Sequence, residues 1–257
     1  MPKRASVPSA KFPTPSLGQE DGDGREVGNL ILRGLPRKEM AQLLPALEFV
    51  RLKLHQVLHE PGETIKSGYF LNNGLGSVLT TQPDGKTVEV GLIGKEGFVG
   101  LPVVFGFKTS GLRIVTQADG SAYRIEVPTL RRILPQTQEL EKRLLRFSLM
   151  LGMQSTQLAA CNRLHAVVER LARWLLMSQD RIGSPNLPLT QEFLSQMLGT
   201  RRASVSVAAG NLQSAGTIAY TRGSVEILDR KKLERTACNC YEVIEQLKRR
   251  WQAEVLG

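Results

Sequence analysis

Three kinds of hydrophobic spacing divide the chain. Between Phe49 and Ile125 apolar residues alternate, as in Val50, Leu52 and Leu54, and half of the 24 glycines fall between Gly62 and Gly120. Alternation predicts half-buried strands, and Asn73-Gly74 and Asp84-Gly85 predict hairpin turns. Short strands at close spacing with glycine turns predict an antiparallel β jelly-roll barrel. From Pro128 to about Leu158 the period becomes helical. Leu140, Leu144, Phe147, Leu151 and Leu158 follow an a/d heptad seam, with Gln154 at the omitted position. Such a seam packs either on a second copy of the chain or on its own barrel. We read it as a dimer interface. Leu164 to Arg181 is a further amphipathic helix, with Val167, Leu171, Trp174 and Leu175 inward, ended by Gly183-Ser184-Pro185-Asn186.

The stretch Leu189–Val225 reads as helix, tight turn, helix and hairpin. Thr190 is a good N-cap, Gln191 and Glu192 suit the first turn, and Leu194, Met197 and Leu198 share a face. Gly199 breaks the pattern, and Thr200 is placed to cap a second helix running from about Arg201 to Ser214. Val205, Ala208, Ala209 and Leu212 form its inner face, leaving Arg201, Arg202, Ser204, Ser206, Val207 and Asn211 outside. Gly216 stands where a left-handed C-terminal glycine belongs. No acid occurs from Phe193 to Val225, while Arg201, Arg202 and Arg222 do. Thr217–Tyr220 and Ser224–Leu228, joined by Thr221-Arg222-Gly223, make a candidate wing. A small-residue helix with a basic, hydroxylated outer face, held to another by a glycine turn, predicts a winged helix-turn-helix that binds DNA.

The flanks are simpler. Residues 1–26 are rich in proline, glycine and acids and predict a disordered tail. Asn29–Leu47 predicts a helical lead-in with Pro36 at the first helical position. After the wing, Asp229 is placed to cap another helix, and Tyr241–Val255 carries Lys248, Arg249 and Arg250 on a final one. The predicted class is α+β. A sensor barrel covers 27–127, a dimerisation helix 128–160, a winged helix-turn-helix domain 161–235 and a helical extension 236–257.

Composition narrows the partners. The net charge of +10 fits nucleic acid or an anionic membrane. No apolar run approaches the roughly 18 residues of a membrane helix, and no apolar segment follows the basic N-terminus as a secretory signal needs. The three cysteines, Cys161, Cys238 and Cys240, are too few and odd in number for a disulfide framework, which fits a reducing cytoplasm. Cys238-Asn239-Cys240 with Cys161 and His165 lacks the two-to-four spacing of structural zinc, so we expect ordinary thiols, with a redox role as the minor reading. His55 and His59, four apart on a strand, lie about 13 Å apart, too far for one ion. No metal site is therefore predicted. No nucleophile motif or carboxylate pair stands out. Gly91–Gly100 lacks the lysine-serine end of a phosphate loop, so no enzyme is expected.

The order of barrel, long helix and winged helix resembles the Crp/Fnr family of bacterial transcription regulators. The resemblance rests on Leu189-Thr190-Gln191-Glu192, Leu198-Gly199, Arg202, Ser204-Val205, Leu212, Gly216, Ile218, Arg222-Gly223 and Ile227-Leu228-Asp229-Arg230, with Glu169-Arg170-Leu171-Ala172 upstream. It covers about residues 27–235. It implies a homodimer that binds a near-palindromic double-stranded operator, contacts RNA polymerase and senses an effector through a cyclic-nucleotide-binding-like domain. Base reading in the family uses an arginine and a glutamate at the start of the second helix and an arginine one turn on. Arg202 matches the first, but Ala203 and Val207 replace the others. The family's usual operator does not carry over, and the Val207 methyls are available to a thymine methyl. The cyclic-nucleotide turn reads Phe98-Val99-Gly100-Leu101-Pro102, so Leu101 stands for the ribose-binding glutamate. Arg113, in Ser110-Gly111-Leu112-Arg113, is displaced from the phosphate position. Gly100, Leu101 and Arg113 are thus weak ligand candidates, and the effector is unknown. Cyclic AMP is disfavoured, and so is an iron–sulfur cluster, which needs more thiolates than this chain offers before Cys161. The alternative is a cyclic-nucleotide-like sensor or regulatory subunit without operator recognition. Arg222→Ala, on the wing, is expected to weaken binding to all DNA sequences equally in a shift assay.

Overall fold

The computed structural model describes residue 21, residues 24–221 and residues 223–256. The predicted tail lies outside the described residues except at Asp21 and at 24–26. There Tyr123 Oη donates to Asp21 Oδ2 at 3.0 Å, and the Arg25 guanidinium lies 4.9 Å from the centre of the Phe49 ring. The N-terminal part holds α1 (Leu30–Arg33), α2 (Arg37–Leu43), β1 (Glu48–Leu52), β2 (Val57–His59), β3 (Ser67–Asn73), β4 (Gly76–Thr81), β5 (Thr87–Ile93), β6 (Phe98–Val99), α3 (Leu101–Val104), β7 (Arg113–Thr116) and β8 (Gly120–Glu126). Next come α4 (Val127–Ile133) and the long α5 (Gln138–Leu164). The C-terminal part holds α6 (Val167–Ile182), β9 (Asn186–Leu187), α7 (Gln191–Leu198), α8 (Arg202–Ser214), β10 (Ile218–Thr221), β11 (Ser224–Ile227), α9 (Arg230–Thr236) and α10 (Cys240–Leu256).

The barrel is two antiparallel sheets, ordered β1-β8-β3-β6 and β2-β7-β4-β5. Inward residues such as Phe70, Val78, Ile93, Phe98 and Ile114 close the core between them. This is the expected jelly roll. Asp84-Gly85 joins the paired strands β4 and β5 and is a true hairpin. Asn73-Gly74 is not, because β3 and β4 belong to different sheets. There the chain turns a corner. Gly74 takes φ 85°, and the Asn73 Oδ1 accepts from Ser121 N at 2.7 Å, pinning the corner to β8.

The expected single helix from Pro128 is broken. Pro135 lacks an N–H to continue the ladder, a 3-10 turn covers Leu134–Gln136, and α5 begins afresh at Gln138. Its first amides are capped from another element: the Glu39 carboxylate of α2 accepts from Glu139 N and Leu140 N, each at 3.0 Å.

The seam of α5 also needs correction. Leu140, Leu144, Phe147 and Leu158 are buried inside their own chain, and Leu151 packs against the core. The reason lies at Gln154. Strand β5 is a sheet edge, and Gln154 Oε1 accepts from Leu92 N at 2.7 Å while its Nε2 donates to Leu92 O at 3.3 Å. Ser155 Oγ donates to Val90 O at 2.6 Å. The helix thus satisfies the backbone of an edge strand and hides its own apolar seam in doing so. The extension α10 folds back on the same helix, with Trp251 edge-on to Phe147 at 5.8 Å. What α5 leaves outside is another stripe: Leu145, Leu149 (63% exposed) and Met153.

The C-terminal domain is docked on the barrel. Trp174 Nε1 of α6 donates to Glu89 Oε1 of β5 at 2.9 Å, and Ser77 Oγ donates to Glu89 Oε2. Arg181, near the end of α6, pairs with the buried Glu96 at 2.8 Å. Leu79 and Val115 of the barrel share a core with α6, α7 and α8. At Gly199 the barrel comes so close that a Cβ would sit 2.8 Å from Val88 Cγ2, and the residue takes φ 55°. Glycine is needed there twice over.

Candidate nucleic-acid interface

The reading element forms from local rules. Thr190 Oγ1 accepts from Phe193 N at 3.1 Å and starts α7. Gly199, left-handed, ends it. Thr200 is not the cap of the next helix. Arg201 takes the extended N-cap position, without a side-chain cap, and α8 starts at Arg202. Val205, Ala208, Ala209 and Leu212 are buried, as their spacing predicts. Strands β10 and β11 pair in register, Ile218 with Ile227 and Thr221 with Ser224, and β9 extends the sheet. Arg222, which falls between β10 and β11 in sequence, lies outside the described residues.

The outer face of α8 exposes Arg201, Arg202, Val207 (65%) and Asn211, with Ser204 half-buried beside them. An exposed valine amid arginines has nothing apolar to cover within its own domain. Ser206 and Gln191 are tied to each other, Oγ to Oε1 at 2.6 Å, and so lock α8 to α7. Thr190 is likewise engaged as a cap. The basic and hydroxyl side chains left open to a partner, Arg201, Arg202 and Ser204, are concentrated at the start of α8. Arg202 also lies near Tyr220 of β10: burial raises the phenol's pKa, and the guanidinium opposes that rise. The basic start of α8 therefore lies beside the wing strand β10.

In the barrel, a cavity of about 290 Å³ opens beside the Gly100-Leu101 turn. Phe98, Leu101, Phe107, Leu112, Ile114 and Leu151 line it, and no guanidinium among the described residues does. Arg113 turns away to pair with Glu60 at 3.2 Å. His59, at the rim, is buried. Its Nε2 lies 3.0 Å from Ser67 O, and burial lowers its pKa although that carbonyl works the other way. The His55 ring lies tilted against Phe193 across the domain junction, centroids 5.6 Å apart. Sequence reading missed the Glu89–Trp174 contact and the exposed stripe of α5, and it set aside on spacing the group Cys161, His165, Cys238 and Cys240, which the fold brings within 4.8 Å. The stripe was visible as a second set of four-residue spacings. The other two are tertiary.

Two family models match. The cyclic nucleotide-binding domain covers residues 49–137, and the Crp-like helix-turn-helix domain covers 169–236. Together they take in well over half of the chain. No curated protein matches by sequence. Among solved structures, FixK2 from Bradyrhizobium japonicum aligns with TM-score 0.63 at 14% identity, over 75% of this chain and 98% of that one. A CRP family transcriptional regulator from Thermus thermophilus gives TM-score 0.63 at 21% identity, over 73% and 96%. The c-di-GMP responsive global regulator CLP of Xanthomonas campestris gives 0.61 at 17%, over 75% and 99%. At these identities the likeness is one of fold. With the two domain models in that order on this fold, the chain belongs to the Crp/Fnr family of DNA-binding transcription regulators, which are not enzymes.

Proposed function

We propose that the protein works as a homodimer reading a two-fold operator, with one α8 in the major groove of each half-site. The observation that carries this is the acid-free outer face of α8, which Arg201, Arg202 and Ser204 open beside a wing and Val207 and Asn211 continue. Arg202 is the base reader, because bidentate arginine–guanine pairing is the most discriminating contact such a helix makes. Arg201, Thr200 and Arg222 hold phosphates, which position without specifying. Thr190, Gln191 and Ser206 act by fixing α7 against α8. The dimer forms through the exposed stripe of α5 rather than through the seam spent on the barrel. The family implies contact with RNA polymerase and a cytoplasmic site of action. No helix among the described residues is long and apolar enough to cross a membrane.

The effector cavity favours an uncharged, apolar ligand over a cyclic nucleotide. A phosphate needs a positioned guanidinium, and Arg113 is engaged with Glu60. Cyclic AMP is expected to leave the melting temperature and operator affinity unchanged.

The direct test is selection of bound sequences from random DNA, followed by titration of the winning site. Arg202→Ala is expected to cost about 1–3 kcal/mol and to relax specificity at one position per half-site. Unchanged affinity and specificity in Arg202→Ala would overturn the assignment of α8.

A further inference from the structure

We propose that Cys161, His165, Cys238 and Cys240 bind a single zinc ion that ties the foot of α5 to the start of α10. The two pairs are far apart in sequence, so neither spacing announces a site. The fold joins them. Cys161 is in the last turn of α5, and His165, four residues on, ends the helix with its N–H on Cys161 O at 3.2 Å. One helical turn sets both side chains on one face. Cys238 lies between α9 and α10, and Cys240 opens α10.

The donor geometry suits a tetrahedral ion. All four ligand atoms lie within 4.8 Å of one another. The Cys161 and Cys238 sulfurs are 3.4 Å apart, and Cys240 Sγ is 3.5 Å from His165 Nδ1. With zinc–sulfur bonds of about 2.3 Å and zinc–nitrogen bonds of about 2.0 Å, a tetrahedron separates its ligands by about 3.5–3.8 Å. Three cysteines and one histidine are one of the usual closed sets for structural zinc. Soft thiolates also select against magnesium and calcium.

The surroundings fit an anionic centre. Three thiolates, a neutral imidazole and a divalent ion carry one net negative charge. Arg170 and Arg173 are both buried alongside, and the Nε of each has no hydrogen-bond partner among the described residues. Guanidinium groups are seldom buried without an opposing charge. Arg173 also lies near the Glu89 carboxyl, but three neutral thiols would leave Arg170, whose Nη2 donates to Leu198 O, with no opposing charge among the described residues. Gln157, one turn before Cys161, donates Nε2–H to Cys240 Sγ at 3.0 Å, the outer-sphere contact that orients a metal-bound sulfur. All three cysteines are buried and free of disulfides.

The position gives the ion a mechanical role. His165 and Ala166 are the whole joint between α5 and α6. An ion there stiffens the connection through which the barrel orients the DNA-reading domain. Sequence spacing argued for ordinary thiols because Cys-x-Cys alone cannot close a site; the helix-borne pair supplies the missing half.

The test uses the full chain, purified with reductant and without a chelating tag. Elemental analysis is expected to find about one zinc per chain, as a closed site requires. Cobalt exchanged for zinc should give the visible absorption of a tetrahedral thiolate complex. Cys238→Ser and His165→Ala should each lose most of the metal, and a strong chelator should lower the melting temperature of the native chain but not of these variants. Should a variant fail to fold, zinc titration of chelator-stripped native protein against a coloured competitor decides, with thiol protection by zinc as readout. The proposal is overturned if the native chain neither carries nor takes up zinc, if iron occupies the site instead, if zinc persists in the Cys238→Ser/Cys240→Ser double variant, or if Cys161 and Cys238 form a disulfide in protein kept under reductant.

Discussion

Charging the exposed stripe of α5, by Leu149→Glu with Met153→Glu, is expected to yield a folded monomer whose operator affinity falls by about 10²–10⁴-fold, the avidity lost with the second half-site. Both side chains are exposed on α5. Surface carboxylates there disturb no core. Light scattering reads the oligomeric state, and titration of full and half operators reads the affinity. The half-site affinity should change little. Phe147→Ala serves as the contrast. Phe147 is fully buried under Trp251, so its truncation should cost about 3–5 kcal/mol of stability while leaving the stripe intact. If the double variant stays dimeric with unchanged affinity, the interface lies elsewhere.

That contrast shows where sequence stops. The reading element was legible because its determinants are local: a threonine cap at Thr190, a left-handed Gly199, and small apolar residues at helical spacing from Val205 to Leu212. Each acts within a turn or two of chain. The barrel was legible as a class for the same reason, since alternation and glycine turns belong to single strands. The seam from Leu140 to Leu158 gave a correct helix but an incorrect partner. Spacing says that a stripe is apolar and not what covers it. Gln154 was read as an irregularity in a heptad, whereas it is the group that completes the edge of β5. At Asn73-Gly74 the dipeptide told that the chain turns, but pairing depends on which sheet each strand joins. The four donors around Cys161 meet only because α10 folds back, which no spacing encodes.

Glu89 is the group through which pH should act, and Glu89→Gln is expected to remove that dependence. The carboxyl is buried between barrel and α6. Burial raises its pKa from 4.5 to about 7, against the pull of Ser77, Arg173, Trp174 and Arg181. The neutral form is therefore the one that suits the docked state. The folded state binds the proton more tightly than the unfolded chain. Its stability contribution is complete below about pH 4.5 and is lost as pH rises through about 7. A shift of this size corresponds to about 3 kcal/mol of folding stability. Wild-type protein should thus loosen between barrel and α6 as the pH passes from 5 to 8. This would be read as a falling melting temperature and faster amide exchange in α6. His59 contributes in the opposite sense. Burial lowers its pKa below 6.5, so its stabilisation is present above that value and lost on acidification, in wild type and variant alike. The difference between the two pH profiles isolates Glu89. In Glu89→Gln the amide oxygen still accepts from Trp174 and the NH₂ faces the Ser77 hydroxyl, so docking persists without a charge to bury. The orientation of α8 relative to the barrel rests in part on this contact, beside Arg181–Glu96 and the core shared by Leu79, Val115, α6, α7 and α8. Operator affinity should therefore fall with rising pH in the wild type and stay level in the variant. Parallel profiles for the two proteins would remove Glu89 from the coupling.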